Sequence, residues 1–261
     1  MTEKEDSIDC VQPGYEKIAH FYHLFAKNDD LPFYIKYAKQ YGSPILDIAA
    51  GAGRVSFALA EAGFNVVAIE KSPAMVSEFK RKLACATDDI KKRITLFEVD
   101  MTAFALGQKF PLVIIPASFG HARTTDEQLS TLACISNHLT KDGLFVLDLF
   151  PGGVQPERSS FSEPPVEIPG GRTVIRSGVM TIDPVSQILE LNLVYTVRDV
   201  ETEEVLDIIE QTSTAALLYN REANLLFRIA GLHIESEFGD FSESDYTNES
   251  GRRIILLHRN R

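Results

Sequence analysis

The sequence predicts an α/β fold: a mainly parallel β-sheet covered by helices on both faces, with an antiparallel β-sheet inserted late in the chain. Three observations predict it. Short apolar strands alternate with helical segments through the first 150 residues, which is typical of a doubly wound parallel sheet. Gly51 and Gly53 follow the first strand and precede a helix, as ligand-binding turns of such sheets do. Strict alternation of apolar and polar residues at 189–197 predicts an antiparallel strand.

The N-terminal segment, residues 12–41, is predicted to be helical. Its apolar residues recur at intervals of three and four, which places them on one helix face. These residues are Tyr15, Ile18, Ala19, Tyr22, Phe25 and Ala26. His20 and His23 lie close together but have no carboxylate beside them, so we predict ordinary helix-surface residues and no metal site.

The first strand ends in a carboxylate and a turn of small residues. Residues 44–48 are apolar except for Asp47. Because glycine has no Cβ, Gly51 and Gly53 let the backbone pass close to a ligand, and the next helix points its unpaired N–H groups at the same place. The third glycine of the dinucleotide pattern G-x-G-x-x-G is missing, and Asp47 would repel a diphosphate but attract an ammonium group. The turn therefore favours a cationic ligand over a dinucleotide.

The second strand also ends in a carboxylate. Residues 66–69 are apolar and are followed by Glu70, near the spacing at which such a carboxylate accepts hydrogen bonds from ribose hydroxyls. Ser72 and Pro73 then suit the N-cap and the first position of the next helix. Further apolar strands are predicted at residues 94–99, 112–115 and 144–149.

These segments resemble a known family. Residues 47–53 resemble motif I of the class I S-adenosylmethionine-dependent methyltransferases, usually written D/E-x-G-x-G-x-G, with Ala49 in place of the first glycine. Alanine is a tolerable substitute there if the residue has a negative φ. Residues 71–75, Lys-Ser-Pro-Ala-Met, resemble the D-x-S-x-x-M stretch of that superfamily. The resemblance implies a Rossmann-like sheet of seven strands, the last one antiparallel. It also implies S-adenosylmethionine as the cofactor and S-adenosylhomocysteine as the product.

The resemblance assigns cofactor contacts as well. In family members the aspartate at the position of Asp100 accepts from the adenine amino group, and the residue at Met101 packs on the ring. An aromatic residue of the N-terminal helix, here Tyr15 or Tyr22, lies near the sulfonium. The predicted cofactor-binding residues are Tyr22, Asp47, Ala49, Gly51, Gly53, Arg54, Glu70, Lys71, Met75, Asp100, Met101, Pro116 and Ser118.

Candidate catalytic residues follow from the same resemblance. Residues 118–121, Ser-Phe-Gly-His, match a stretch of small-molecule N-methyltransferases that methylate amino-sugars and glycine-like amines. The family histidine there lies near the methyl-transfer point and orients the acceptor or takes its proton. The predicted catalytic residues are therefore His121 and Tyr15.

Residues 151–218 are predicted to form an inserted antiparallel sheet of three or four strands. Turns rich in proline and glycine come first, and alternating strands follow at residues 173–182, 189–197 and 205–214. The main fold then resumes with a helix at 221–230 and strands at 232–238 and 253–258. We thus expect residues 1–150 and 219–261 to form the S-adenosylmethionine-binding domain. Whether the inserted sheet caps the pocket, supplies acceptor-binding side chains or pairs two subunits stays open.

Charge and composition narrow the partners. The net charge is −11 and the chain has no dense basic patch, which argues against nucleic acid as a partner. Residues 116–119 lack both the D/N-P-P-Y/F/W of amino-methylating DNA enzymes and the cysteine of cytosine-C5 enzymes. The chain has no run of 18 apolar residues, so no membrane-spanning helix is predicted. The charged residues 1–6 are unlike a signal peptide. Three scattered cysteines predict no disulfide, so we expect a cytoplasmic protein.

The sequence therefore predicts a methyltransferase that transfers a methyl group from S-adenosylmethionine to a small-molecule acceptor. An amine nitrogen is favoured over an oxygen, because a hydroxyl acceptor would need a stronger base or a metal. Two other functions stay open: an NAD-dependent oxidoreductase that uses the same turn, and a non-catalytic module that binds S-adenosylmethionine. A homodimer formed through the inserted sheet is also left open.

Overall fold

The computed structural model describes residues 18–150 and 157–260, and we number their helices and strands in chain order. The helices are α1 (Ala19–Tyr22), α2 (Leu31–Tyr41), α3 (Arg54–Glu61), α4 (Pro73–Cys85), α5 (Asp88–Arg93), α6 (Thr125–His138) and α7 (Asn220–Ile229). The strands are β1 (Ile45–Ile48), β2 (Val66–Glu70), β3 (Ile94–Glu98), β4 (Phe110–Ile115), β5 (Leu139–Leu149), β6 (Arg158–Ser162), β7 (Val166–Ile168), β8 (Arg172–Asp183), β9 (Ile188–Asp199), β10 (Val205–Ala216), β11 (Leu232–Phe238) and β12 (Arg253–Arg259). Short 3-10 turns lie at His23–Phe25 and Phe119–His121.

Seven strands form the main sheet, in the order β11-β12-β5-β4-β1-β2-β3. β1 is parallel to β2 and β4, whereas β12 is antiparallel to β5 and β11. The predicted α/β sheet of seven strands with an antiparallel last strand is therefore confirmed. The next strand in the chain, β2, lies on one side of β1, and β4 lies on the other. Ligands of doubly wound sheets bind at this switch point, beyond the carboxyl ends of the strands.

Alternate residues of the central strands pack into two layers. In β4, Val113 and Ile115 belong to the layer that contains residues of α6 and α7. Leu112 and Ile114 belong to the opposite layer, which contains residues of α2 and α3. All four side chains are fully buried, and burying one of this size contributes about 1.5–3 kcal/mol. Burial on both faces explains why the strands read as continuous apolar runs.

The second sheet is antiparallel, with the order β10-β9-β8-β6 and with β7 paired to β8. An inserted antiparallel sheet is therefore correct, but the sheet has five strands instead of the three or four expected. The additional strands β6 and β7 flank Pro164 and Pro165, where proline and glycine indicate loops. Their residues lack a regular apolar alternation, so only their pairing with β8 identifies them as strands.

One face of the second sheet packs against the N-terminal part of the described chain. Leu193, Tyr195 and Val197 of β9 are buried, as their alternation predicts. They share a cluster with Ile18 and Phe21, and the rings of Phe21 and Tyr195 stack with their centroids 6.2 Å apart.

Ala19 faces a different neighbour. It is buried against Ala52 and Met75, beside the turn that follows β1. The N-terminal segment therefore lies between the inserted sheet and that turn. Residues 12–17, also predicted to be helical, lie outside the described residues.

Several predicted boundaries shift. The helix after the first turn, α3, ends at Glu61; Val55 and Leu59 are buried within it, and Ala62, just beyond its end, is exposed. β5 begins at Leu139, several residues before the predicted start. No helix in the described ranges combines the length and the apolar character needed to cross a membrane.

Candidate active site

A cavity of about 430 Å³ opens beyond the carboxyl ends of β1 to β4 and reaches β10 of the inserted sheet. Its volume lies in the range of small-molecule sites. Most of the residues predicted from the sequence line it together. They are Asp47, Ala49, Gly51, Arg54, Glu70, Lys71, Met75, Asp100, Met101, Pro116, Ser118 and His121.

Three predicted site residues are not among these. Tyr15 lies outside the described residues, and the side chain of Tyr22 does too, although its backbone belongs to α1. Gly53 does not line the cavity. A Cβ on Gly53 would lie 2.7 Å from the rings of Phe57 and Phe79, so ring packing requires glycine there.

The turn after β1 has an unusual backbone. Gly51 has a φ of 58° and Gly53 a φ of 86°, and Ala49 has a φ of 54°. The condition under which alanine would fit this position without strain, a negative φ, is therefore not met. The left-handed conformation brings the Cβ of an L-residue close to its following carbonyl oxygen and costs about 1–2 kcal/mol. At the position where the family pattern has glycine, Ala49 therefore adopts the positive φ that glycine adopts more easily.

Asp47 is buried at the end of β1. Its Oδ2 accepts a hydrogen bond from the Ser56 hydroxyl at 2.6 Å. Its Oδ1 is buried with no hydrogen-bond partner in the described parts of the chain. Burial raises the pKa of Asp47 to about 7, against the opposing effects of Ser56 and Arg54. A cation placed beside this carboxylate would favour its ionised form.

Glu70 fastens the turn to the start of α4. Its Oε2 accepts from the Gly51 amide at 2.8 Å. Its Oε1 accepts from the amides of Lys71 at 2.9 Å and Ser72 at 2.7 Å. Ser72 in turn accepts from the Met75 amide as the N-cap of α4, as predicted. The carboxylate thus lies in the cavity wall and holds two chain segments together.

Asp100 lies just beyond β3 and pairs with Lys71, whose Nζ is 2.6 Å from Oδ2. It also accepts from the amide and the hydroxyl of Thr102, both at 2.9 Å. Burial opposes ionisation of Asp100, but the hydrogen bonds from Lys71 and Thr102 outweigh it and hold its pKa below the usual value. Asp100 is therefore ionised at neutral pH.

Arg54, at the start of α3, is held by a partner that the sequence did not indicate. Its guanidinium makes two hydrogen bonds of 2.5 Å to the carboxylate of Asp30. Asp30 is buried just before α2. It looks like a helix cap in the sequence, but its side chain caps no backbone group. The two residues are far apart in the chain, so no local pattern could pair them.

The far end of the cavity contains His121. The residue lines the open cavity and is solvent-exposed, and partial desolvation lowers the pKa of its imidazole from the ordinary value of 6.5. A hydrogen bond to the backbone of Thr214 raises the pKa in part, and the nearby charge of Arg123 lowers it further. His121 is therefore neutral at pH 7. Gly120 beside it packs so closely on β10 that a Cβ would lie 2.8 Å from the Ala216 carbonyl oxygen.

Sequence reasoning missed the other residues at this end. Arg123 lies just before α6 and Glu127 in its first turn, whereas Thr212 and Thr214 belong to β10. The threonines alternate along β10, which indicates one shared face. Arg123 comes two residues after His121. Nothing local, however, indicates that these two places meet.

The described residues contain no group of three histidine, cysteine, aspartate or glutamate side chains that could hold a metal ion. Of the two histidines near the N-terminus, His20 and His23, the side chains lie outside the described residues.

Residues 45–143 match the family model described as "Methyltransferase domain". The chain is 27% identical over 219 residues to the cypemycin N-terminal methyltransferase of a Streptomyces species, and the match covers 84% of each chain. The matched family segment begins with β1 and ends within β5, so it contains Asp47, Glu70 and Asp100.

Solved structures share the whole fold. The CcbJ methyltransferase from Streptomyces caelestis superposes with a TM-score of 0.77 at 19% identity, over 94% of this chain and 97% of that one. CalS10, an amino pentose methyltransferase from Micromonospora echinaspora solved with S-adenosylmethionine bound, has a TM-score of 0.71 at 20% identity, over 92% of this chain and 95% of that one. At these identities the likeness establishes the fold.

Proposed function

The chain carries a methyltransferase domain in the fold of the class I S-adenosylmethionine-dependent methyltransferases, and from this premise we propose that it methylates an amine nitrogen of a small molecule. One observation carries the proposal. A single cavity joins three carboxylates at the ends of parallel strands to a neutral histidine on the opposite side.

The residues at the strand ends fit the cofactor. The buried Oδ1 of Asp47 lacks a hydrogen-bond donor within the described ranges, and the ammonium group of S-adenosylmethionine is such a donor. We assign Glu70 to the ribose hydroxyls, and Asp100 with Met101 to the adenine. When bound, S-adenosylmethionine supplies a methyl carbon activated by a positively charged sulfur. Alignment and desolvation by the cavity then contribute most of the rate.

His121 would serve the acceptor. A neutral amine that accepts a methyl group becomes a cation, which must lose one proton to give the neutral methylated amine. A neutral imidazole can accept that proton. The Thr214 backbone favours the protonated ring, and in the neutral imidazole one nitrogen carries no proton and can take the proton of the acceptor. In this proposal β10 of the inserted sheet closes the acceptor end, because Thr212 and Thr214 line the cavity. Pairing of two subunits through this sheet stays a prediction.

The geometry does not favour a dinucleotide. In a dinucleotide site the turn amides face the pyrophosphate. Here the Gly51 amide donates to the carboxylate of Glu70, and Asp47 adds a second acidic group beside it. Two carboxylates at the turn would repel a diphosphate.

Calorimetric titration of S-adenosylmethionine, S-adenosylhomocysteine and NAD into the protein tests the cofactor. We expect binding of both adenosyl ligands and none of NAD. Turnover is tested by following S-adenosylhomocysteine release with a panel of primary and secondary amines and the matching alcohols. Release with amines supports the proposal. Release with alcohols alone would contradict the nitrogen acceptor, and binding without any release would indicate a non-catalytic module.

A further inference from the structure

Four cationic side chains line the cavity, and two of them form ion pairs. Arg54 pairs with Asp30, and Lys71 pairs with Asp100. Lys82 and Arg123 make no ion pair with any residue in the ranges 18–150 and 157–260. Lys82 donates to the Ala52 carbonyl in the turn after β1, so Arg123 is the cation near His121 that has no ion pair.

The surroundings of Arg123 explain why its guanidinium has no carboxylate. The nearest acidic group, Glu127, accepts from the backbone amides of Arg123 at 2.7 Å and Thr124 at 3.0 Å. That carboxylate therefore completes the capping box of α6. The guanidinium instead points to the inserted sheet, where Nη1 lies 3.5 Å from the Thr214 hydroxyl.

Resting on the proposed function, we propose that Arg123 and the hydroxyl of Thr214 bind a carboxylate of the methyl acceptor. The acceptor is then an amine that also carries a carboxylate, such as a small amino acid. The planar guanidinium matches a carboxylate with two parallel hydrogen bonds. A chain with a net charge of −11 repels anions in general, so an anionic acceptor needs a local cation of this kind.

The charge of Arg123 also acts on His121. Arg123 lies close enough to lower the pKa of His121. A bound carboxylate would offset that charge and raise the pKa, so His121 becomes a better proton acceptor once the acceptor is in place. Amine and carboxylate would thus be recognised by neighbouring groups of one loop. Glu127 beside Arg123 disfavours a doubly charged phosphate in the same place.

The test compares amines that differ only in the carboxylate. Glycine, β-alanine and 4-aminobutyrate are assayed against their amides, with phosphoethanolamine as the phosphate probe. Wild type, Arg123→Gln, Arg123→Lys and Thr214→Val are compared by S-adenosylhomocysteine release. Ligand-observed NMR of the same probes, with the protein saturated with S-adenosylhomocysteine, reports binding without turnover. Arg221→Gln, an exposed arginine of α7 outside the cavity, is the matched charge control.

We expect Arg123→Gln to lower kcat/KM for the carboxylate-bearing amines about 10- to 100-fold, mainly through KM, and to change KM for the amides far less. Arg123→Lys should recover only part of the loss, and Arg221→Gln should behave as wild type. Equal use of acids and amides by wild type, or preference for phosphoethanolamine, would overturn the carboxylate site while leaving amine methylation intact. Arg123-dependent binding of the acids without methylation of any amine would instead contradict the proposed function.

Discussion

The Oε2 atom of Glu70 accepts a hydrogen bond from the Gly51 amide at 2.8 Å. The carboxylate that ends β2 therefore holds the turn that follows β1, while its other oxygen holds the start of α4. A residue that the sequence predicts as a ligand contact is thus also a structural tie between two neighbouring strand ends.

Replacing Glu70 by alanine should therefore have two effects. We expect affinity for S-adenosylmethionine to fall by about 1–3 kcal/mol, the value of hydrogen bonds to a charged group. The free energy of unfolding should also fall by about 1–3 kcal/mol, because backbone amides lose their acceptor. Calorimetric titration measures the affinity for S-adenosylmethionine, and urea unfolding measures the free energy of unfolding. An alanine variant that binds as tightly as wild type would contradict the ribose assignment.

Replacing Ala49 by glycine should stabilise the protein. Glycine relieves the φ of 54° but adds freedom to the unfolded chain. We expect a net gain of about 0.5–1 kcal/mol in urea unfolding. Ala50→Gly, in the same turn but without a positive φ, is the control and should destabilise. A loss in both variants would rule out strain at Ala49.

Gly53→Ala and Gly51→Ala should differ in cost. A Cβ added at Gly53 would lie 2.7 Å from two aromatic rings, whereas a Cβ added at Gly51 would have no neighbouring atom within 4 Å. We expect Gly53→Ala to destabilise by about 2–4 kcal/mol from overpacking and strain, and Gly51→Ala by about 1–2 kcal/mol from strain alone. Thermal or urea unfolding of both variants checks the order. Equal losses would mean that ring packing does not set the requirement at Gly53.

Asp47 should make stability depend on pH. Its pKa is about 7 in the folded state and 3.8 ordinarily, so between these values the folded state keeps a proton that the unfolded state has released. The contribution of Asp47 is therefore full below about pH 4 and is lost as pH rises through 7. Asp47→Asn should flatten this decline, be more stable than wild type near pH 8 and bind S-adenosylmethionine more weakly. Exposed Asp142→Asn should keep the wild-type slope in urea unfolding from about pH 5 to 8.

His121→Asn should lower kcat/KM for an amine about 100-fold with little change in affinity for S-adenosylmethionine. Because desolvation lowers the pKa of His121 below 6.5, more than half of the imidazole is neutral at pH 6.5, and the midpoint of the acidic limb of the wild-type profile should lie below that pH. Rate measurements across pH test this. If the acidic limb of the pH–rate profile persists unchanged in His121→Asn, a group other than His121 causes it.

Local patterns predict the parts of the fold that are local. The strand, turn and helix around Asp47 and the N-cap at Ser72 each depend on a few adjacent residues, and they are found as expected. The φ of Ala49 is not predicted, because the pattern indicates which residue is tolerated rather than its conformation. β6 and β7 escape prediction since their identity as strands depends on pairing with β8.

The cavity residues also fall into two groups, those that local sequence patterns predict and those that only long-range contacts bring together. Its strand-end carboxylates follow from strand order and spacing. The pairing of Arg54 with Asp30 and the approach of Arg123 to Thr214 join residues 24 and 91 positions apart. Such contacts depend on how the inserted sheet and the N-terminal segment pack, and no short window of sequence contains that information.

Among the described residues, the strands of the inserted sheet pair only with one another, yet the end of β10 reaches the cavity with Thr212 and Thr214. Substitutions along β10 can therefore accumulate without disturbing the pairing of β1 with its neighbours. Related proteins could therefore differ in the methyl acceptor that they bind, through changes in β10, while the residues at the strand ends of the main sheet stay the same.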